Sequence, residues 1–139
     1  MSDTNTISNS IPGPPEIIIG RYKITPTPDK FIENVLCQLH GKNSEEIFTI
    51  CDDLEISTDN LPKNSINMFL YNPNAHVITW NSKDKYYDYY NWIVWFIENL
   101  FQPTGFTING TIRWIGKSHP IDRGYTRITD NNIKTALSL

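Results

Sequence analysis

The stretch FTINGTIRWIG, residues 106–116, decides how the chain is read. Asn109-Gly110 is a favoured two-residue hairpin turn. Yet Phe106, Ile108, Gly110, Ile112 and Trp114 alternate without a break against Thr107, Asn109, Thr111 and Arg113. An uninterrupted period of two marks one half-buried strand, and a hairpin at Asn109 would leave a first arm shorter than strands usually run. One long strand is therefore expected, with Gly110 on its inward face, where the missing side chain leaves room for a large ring.

Downstream, residues 116–124 form a polar, glycine-bounded loop, and residues 125–129 and 133–137 a final hairpin around Asp130, Asn131 and Asn132. Upstream, residues 84–101 form the longest helix, stopped by Pro103 and Gly105. At 100° per residue Tyr86, Tyr89, Tyr90, Ile93, Phe96, Ile97, Leu100 and Phe101 share one broad apolar face, and Asp88, Asn91, Glu98 and Asn99 collect opposite. Trp95 falls in the middle of the polar side with Trp92 and Tyr87 flanking it. That predicts an exposed aromatic patch, unless the N-terminal segment or residues 52–63 fold across it.

Further upstream, residues 66–71 and 76–81 flank Asn72-Pro73-Asn74-Ala75 as an antiparallel hairpin. Thr27-Pro28-Asp29 starts a first helix, with Thr27 as the cap; Phe31, Ile32, Val35, Leu36 and Leu39 recur at helical spacing, and Gly41 closes it. Residues 47–50 read as a short strand and residues 52–63 as a loop. Ile17, Ile18, Ile19, Tyr22 and Ile24 make a first strand bent at Gly20. Residues 1–15 are a polar, Pro- and Gly-rich tail excluded from the domain, which spans residues 16–139. The order implies an α+β fold: one antiparallel or mixed sheet with two helices on one face, a split βαβ sandwich of ferredoxin-like type with extra C-terminal strands.

Composition narrows the function. A chain of 139 residues with formal net charge −3 gives no overall electrostatic signal for nucleic acid, and no apolar run is long enough for a spanning helix. Nucleic-acid and membrane partners are not expected, and a cytoplasmic location is. Cys37 and Cys51 fit reduced core thiols rather than a disulfide framework or zinc site. No phosphate cradle or dinucleotide fingerprint occurs, and Asp52, Asp53, Glu55 and Asp59 lack the spacing of a calcium loop, so no cofactor or metal is expected. The three histidines fall in separate places and form no triad; His40 is expected to serve the carbonyls at a helix end.

Residues 78–131 carry a specific pattern: Trp80, Tyr87, Asp88, Tyr89, Trp92, Pro103, Gly105, Asn109, Gly110, Trp114, Gly116, Asp122, Gly124, Asp130 and Asn131. In these residues the chain resembles a family of small bacterial and phage proteins with no assigned activity, departing from it at Thr104, where relatives tend to have an aromatic. The resemblance implies a common fold and brings no chemistry.

The expected function is therefore a non-catalytic binding protein whose partner is a protein, a small planar ligand or a second copy of itself. Trp95, Trp92, Tyr87, Asp88, Asn91 and Arg123 are its contact residues. The alternative is a small hydrolase or transferase with its site between the long helix and the 116–124 loop, Asp122 as acid or base and Arg123 as anion contact. A phage-type anti-defence or antitoxin-like protein is compatible with the resemblance.

Overall fold

Residues 107–116 and 123–129 become strands where polarity alternates, and helices fill the two longest connections between strands. The computed structural model describes residues 15–80, 86–116 and 123–137. Among them are β1 (Pro15–Thr25), α1 (Lys30–Leu39), α2 (Ser44–Leu54), β2 (Phe69–Asn72), β3 (Val77–Trp80), α3 (Tyr86–Phe96), β4 (Thr107–Gly116), β5 (Arg123–Thr129) and β6 (Asn132–Leu137). A π-helical turn, Ile97–Phe101, and a last short turn, Gln102–Thr104, prolong α3 up to Gly105 at φ 87°. The strands form one six-stranded sheet, ordered β2-β3-β1-β4-β5-β6. Every neighbouring pair is antiparallel.

The 106–116 stretch is one strand, as its alternation predicts. β4 pairs with β1 from Gly116 opposite Pro15 to Thr107 opposite Thr25. β1 itself runs through Gly20, and its register breaks between Pro15 and Ile17 rather than at the glycine. Residues 1–14 of the expected tail lie outside the described residues, and Pro15 already belongs to β1. The β5–β6 hairpin turns at Asp130 and Asn131, both at positive φ (47° and 69°). That is the geometry whose backbone twist matches antiparallel strands.

The helix count is corrected from two to three. Ile47 to Ile50 lie within α2, because Asn43 and Glu46 form a reciprocal capping box. The Asn43 side chain accepts from the Glu46 N–H at 2.8 Å, and the Glu46 carboxylate accepts from the Asn43 N–H at 3.1 Å. Two helix-terminal donors are thereby satisfied, which outweighs the strand preference of a four-residue run of β-branched and aromatic residues. Asp52 and Asp53 consequently close α2 instead of opening a loop, and Glu55 ends it at φ 59°. The cap of α1 is Asp29, not Thr27: its Oδ1 accepts from the Ile32 N–H at 2.9 Å. His40 reaches past the end of α1 to the carbonyl of Phe69, with Nδ1 at 3.0 Å. Cys51 is a buried thiol as expected, but Cys37 is exposed.

The register sorts the strand residues into two faces. Tyr22, Ile24, Phe69, Tyr71, Ile78, Trp80, Ile108, Ile112, Trp114 and Ile128 are buried on the inward face, where α1 and α3 lie. The Tyr71 hydroxyl donates to Glu33 of α1 at 2.7 Å, and Tyr89 of α3 shares a hydrogen bond with Thr126 of β5. Tyr22 sits opposite Gly110 in the register, and its hydroxyl donates to the carbonyl of Thr126, one strand further on, at 3.2 Å. The ring thus spans β4 at the position where β4 has no side chain. A Cβ on Gly110 would lie 2.2 Å from the carbonyl oxygen of Arg21, and its φ is 148°. Gly110→Ala is therefore expected to cost more than about 2 kcal/mol. An unchanged urea midpoint would show that β1 and β4 are looser than described.

Candidate functional site

The aromatic patch expected on the long helix does not exist, since Trp92 and Trp95 are both 0% exposed. The helix is covered on two sides. Towards the sheet, Tyr89 packs on Trp80 and Trp114, with centroids 6.0 and 6.2 Å apart, and Phe96 packs on Phe69 at 5.9 Å. Away from the sheet runs the segment after α2. The Trp92 indole donates to Ser65 Oγ at 2.9 Å, Ser65 Oγ donates to Asp88 at 3.0 Å, and Asn99 Nδ2 donates to the carbonyl of Asp59 at 3.1 Å. Trp95 joins this core through Trp92 at 6.2 Å and Phe96 at 5.3 Å. A helix buried on two sides needs more ring surface than a wheel with one buried face allows. Tyr90, placed inward by that wheel, is instead 43% exposed.

The remaining expected contacts are scattered. Asp88 is engaged with Ser65, Asn91 is exposed on α3, and Arg123 is exposed at the start of β5 on the other side of the sheet. The Tyr87 side chain and Asp122 lie outside the described residues, as does the loop on which the hydrolase or transferase alternative depends.

The shifted ionisable groups are buried and protonated. Burial pushes the Cys51 thiol up to about 11. It pushes the Tyr89 phenol up to about 12 against the opposing effect of its bond to Thr126. Tyr22 is raised further by burial and by Tyr89, and Tyr71 by burial and its hydrogen bond to Glu33. A raised pKa keeps each of them neutral at pH 7, so they serve packing rather than proton abstraction.

The outward face of the sheet has a different character. Strand alternation sends Arg21 and Lys23 of β1, Arg113 of β4, Arg123 and Arg127 of β5, and Lys134 of β6 outward, all six exposed. They are half of the chain's 12 Lys and Arg. Glu16, at the irregular start of β1, is the one acidic residue in the described strands. The register lines up Arg21, Thr111, Arg127 and Lys134 in one row across four strands, with Arg113 and Tyr125 side by side in the next. The Arg127 and Arg113 guanidiniums stand 5.0 and 6.0 Å from the Tyr125 ring centre. Lys23 donates to the carbonyl of Ala75 at 2.8 Å. Among the described residues none of the six is held in an ion pair.

Ile19 and Ile115, 61% and 44% exposed, continue the surface. A shallow depression of about 540 Å³ opens between Arg21, Lys23, Ala75, Val77, Asn109 and Gly110. By contrast, acids concentrate on the helical side: Glu45, Glu46, Asp52, Asp53 and Glu55 on or next to α2, and Glu98 after α3, are all exposed. A net charge near zero thus conceals a segregated surface. The signal in the sequence is parity: each of these cations occupies the polar phase of its strand's alternation.

A second depression, of about 590 Å³, lies between α2 and residues 58–64, walled by Phe48, Leu61 and Pro62 with Glu45 and Lys63 at its edge. Among the described residues no three His, Cys, Asp or Glu side chains converge on a point that could hold a metal ion, and no helix is long and apolar enough to cross a membrane. Compared with protein-family models, curated proteins and solved structures, the chain matches nothing.

With Trp95 in the core, Trp95→Ala is expected to cost about 3–5 kcal/mol in urea unfolding. Trp95→Phe should cost distinctly less, because the indole N–H it removes has no partner among the described residues. If Trp95→Ala unfolds like the parent, α3 is not buried on both sides.

Proposed function

We propose that the chain is a binding protein that engages an extended anionic partner through the outward face of its sheet, with the helical layer as rigid support. The observation that carries this reading is the predominance of cations in the strand rows of that face, with Asp130 of the β5–β6 turn held against Asn109 at their end. Arg127 lies directly opposite Lys134 in the register, and Arg113 and Arg127 both crowd Tyr125. Like charges in direct opposition destabilise a sheet. A face shaped only for solubility gains as much from mixed signs, which also relieve that repulsion. A chain with 15 acids and 12 cations has acids to spare, yet the outward rows carry cations. Repulsion of this kind is relieved when an anionic partner binds, and the excess of acids on the opposite side orients the molecule during encounter.

Strand order supports a ferredoxin-like reading of the fold. β1 and β2, connected through α1 and α2, are separated by β3, and β3 and β4, connected through α3, are separated by β1. That order favours a split βαβ sandwich extended by β5 and β6. The two added strands contribute three of the six cations, Arg123, Arg127 and Lys134.

The test is retention on immobilised heparin, a polyanion without bases. The parent should elute above the salt that releases proteins of similar net charge. Replacing Arg21, Arg127 and Lys134 together by Ala should remove most of that retention while changing unfolding free energy by no more than about 1 kcal/mol, because the three are exposed and, among the described residues, in no ion pair. Arg127 touches Thr111 and the Tyr125 ring at the surface. Equal elution of parent and triple variant would contradict the reading.

A further inference from the structure

Resting on that reading, we infer that the anionic partner is a single-stranded nucleic acid laid across β1, β4, β5 and β6, with Tyr125 and its two flanking guanidiniums as the base-stacking platform. A polyanion could be an acidic protein segment, an anionic membrane or a nucleic acid, and features of the face separate them.

First, the pattern is that of a track. Arg21, Thr111, Arg127 and Lys134 run across the sheet as a line of cations and a hydroxyl. Neighbouring strands are about 4.8 Å apart and alternate residues of a strand about 6.8 Å. From the row of Lys23 to the row of Arg123 the patch extends about 20 Å along the strands, and about 14 Å across four of them. An area of that size holds the few nucleotides that a single sheet platform usually binds. Thr111, which lies in register with Arg21, adds a neutral hydroxyl that suits phosphate and sugar oxygens, whereas the Asn109 side chain is engaged with Asp130 of the β5–β6 turn.

Second, planar groups sit in the middle of the charge. The Tyr125 ring and the guanidiniums of Arg113 and Arg127 pack against each other, and Ile19 and Ile115 stand exposed beside them. Neutralising a carboxylate or a lipid headgroup requires no ring. Unstacked bases do use aromatic faces and guanidinium planes, and sequence-tolerant stacking of this kind is how sheet surfaces hold single strands. A duplex keeps its bases stacked inside and offers no such faces, so the platform favours the single strand.

Third, net charge does not argue against this partner. The formal −3 sums a cationic sheet face and an acidic helical side, and the acids of α2 lie off the face that carries the cations, with Asp130 at the edge of that face beside Asn109.

The experiment is fluorescence anisotropy of labelled oligothymidylate and oligouridylate twelve-mers at low salt, with a duplex of equal length, polyglutamate and phosphatidylserine vesicles as competitors, alongside the heparin assay. Expected are salt-dependent binding of the single strands, weaker competition by the other three, and at least about a fivefold loss in Tyr125→Ala. Heparin retention should fall far less than oligomer binding in that variant, and Tyr125→Phe, which keeps the ring, should bind like the parent. Heparin retention combined with equal or better competition by polyglutamate, vesicles or duplex overturns the nucleic-acid inference and leaves the polyanion reading intact. So does a Tyr125→Ala variant that is folded by circular dichroism and binds the oligomers as well as the parent. Failure to bind heparin or oligomers at all overturns both.

Discussion

The antiparallel ladder between β1 and β4 is the constraint on which the rest of the structure depends. Two glycines let it close. Gly20 sits at φ 125° with the carbonyl of Thr111 where a Cβ would be, and Gly110 at φ 148° with the carbonyl of Arg21 in the same relation. The two strands thus press into each other at reciprocal points, which only residues lacking a Cβ permit. Tyr22 then spans the gap above Gly110 and ties β1 to β5 through the Thr126 carbonyl. On this inward surface the aromatic side chains of α3 find a continuous partner. On the outward surface the same ladder sets Arg21 beside Thr111 and, one strand on, Arg127. Core packing and the cationic row are the two faces of one register.

Much of this was legible residue by residue, and the failures have identifiable causes. The alternation in residues 106–116 outweighed the Asn-Gly turn signal because five inward positions agreed and a turn needs only two residues. Asp130 and Asn131 gave the last hairpin because both tolerate the left-handed region. Ile47 to Ile50 carry a local strand preference in their β-branched and aromatic side chains that the Asn43 and Glu46 box, beginning the helix four residues earlier, overrides. Trp95 misled for a different reason. A helical wheel assigns one inside and one outside, whereas α3 lies between the sheet and residues 59–65. The long connection that covers it has no periodicity to announce where it packs.

The candidate site was hidden by averaging. Composition reports a sum of charges, and a sum near zero is the same for mixed and for segregated surfaces. Arg21, Lys23, Arg113, Arg123, Arg127 and Lys134 become one surface only when strand parity and strand order are both known, and β1 and β4 are adjacent despite some 80 intervening residues. Parity can be read from sequence, but adjacency of distant strands cannot. Tryptophans are usually enriched at interfaces; here the Trp92 and Trp95 rings lie in a doubly buried helix instead.

In the proposed function the outward sheet face, and not the helical side, meets the partner. Amide chemical-shift mapping by NMR during titration with an oligothymidylate twelve-mer tests it most directly. Shifts are expected along β1, β4, β5 and β6 around Arg21, Arg113, Tyr125, Arg127 and Lys134, with α1 and α2 unmoved. Shifts confined to α2 and the depression beside Phe48, with the sheet silent, would contradict it.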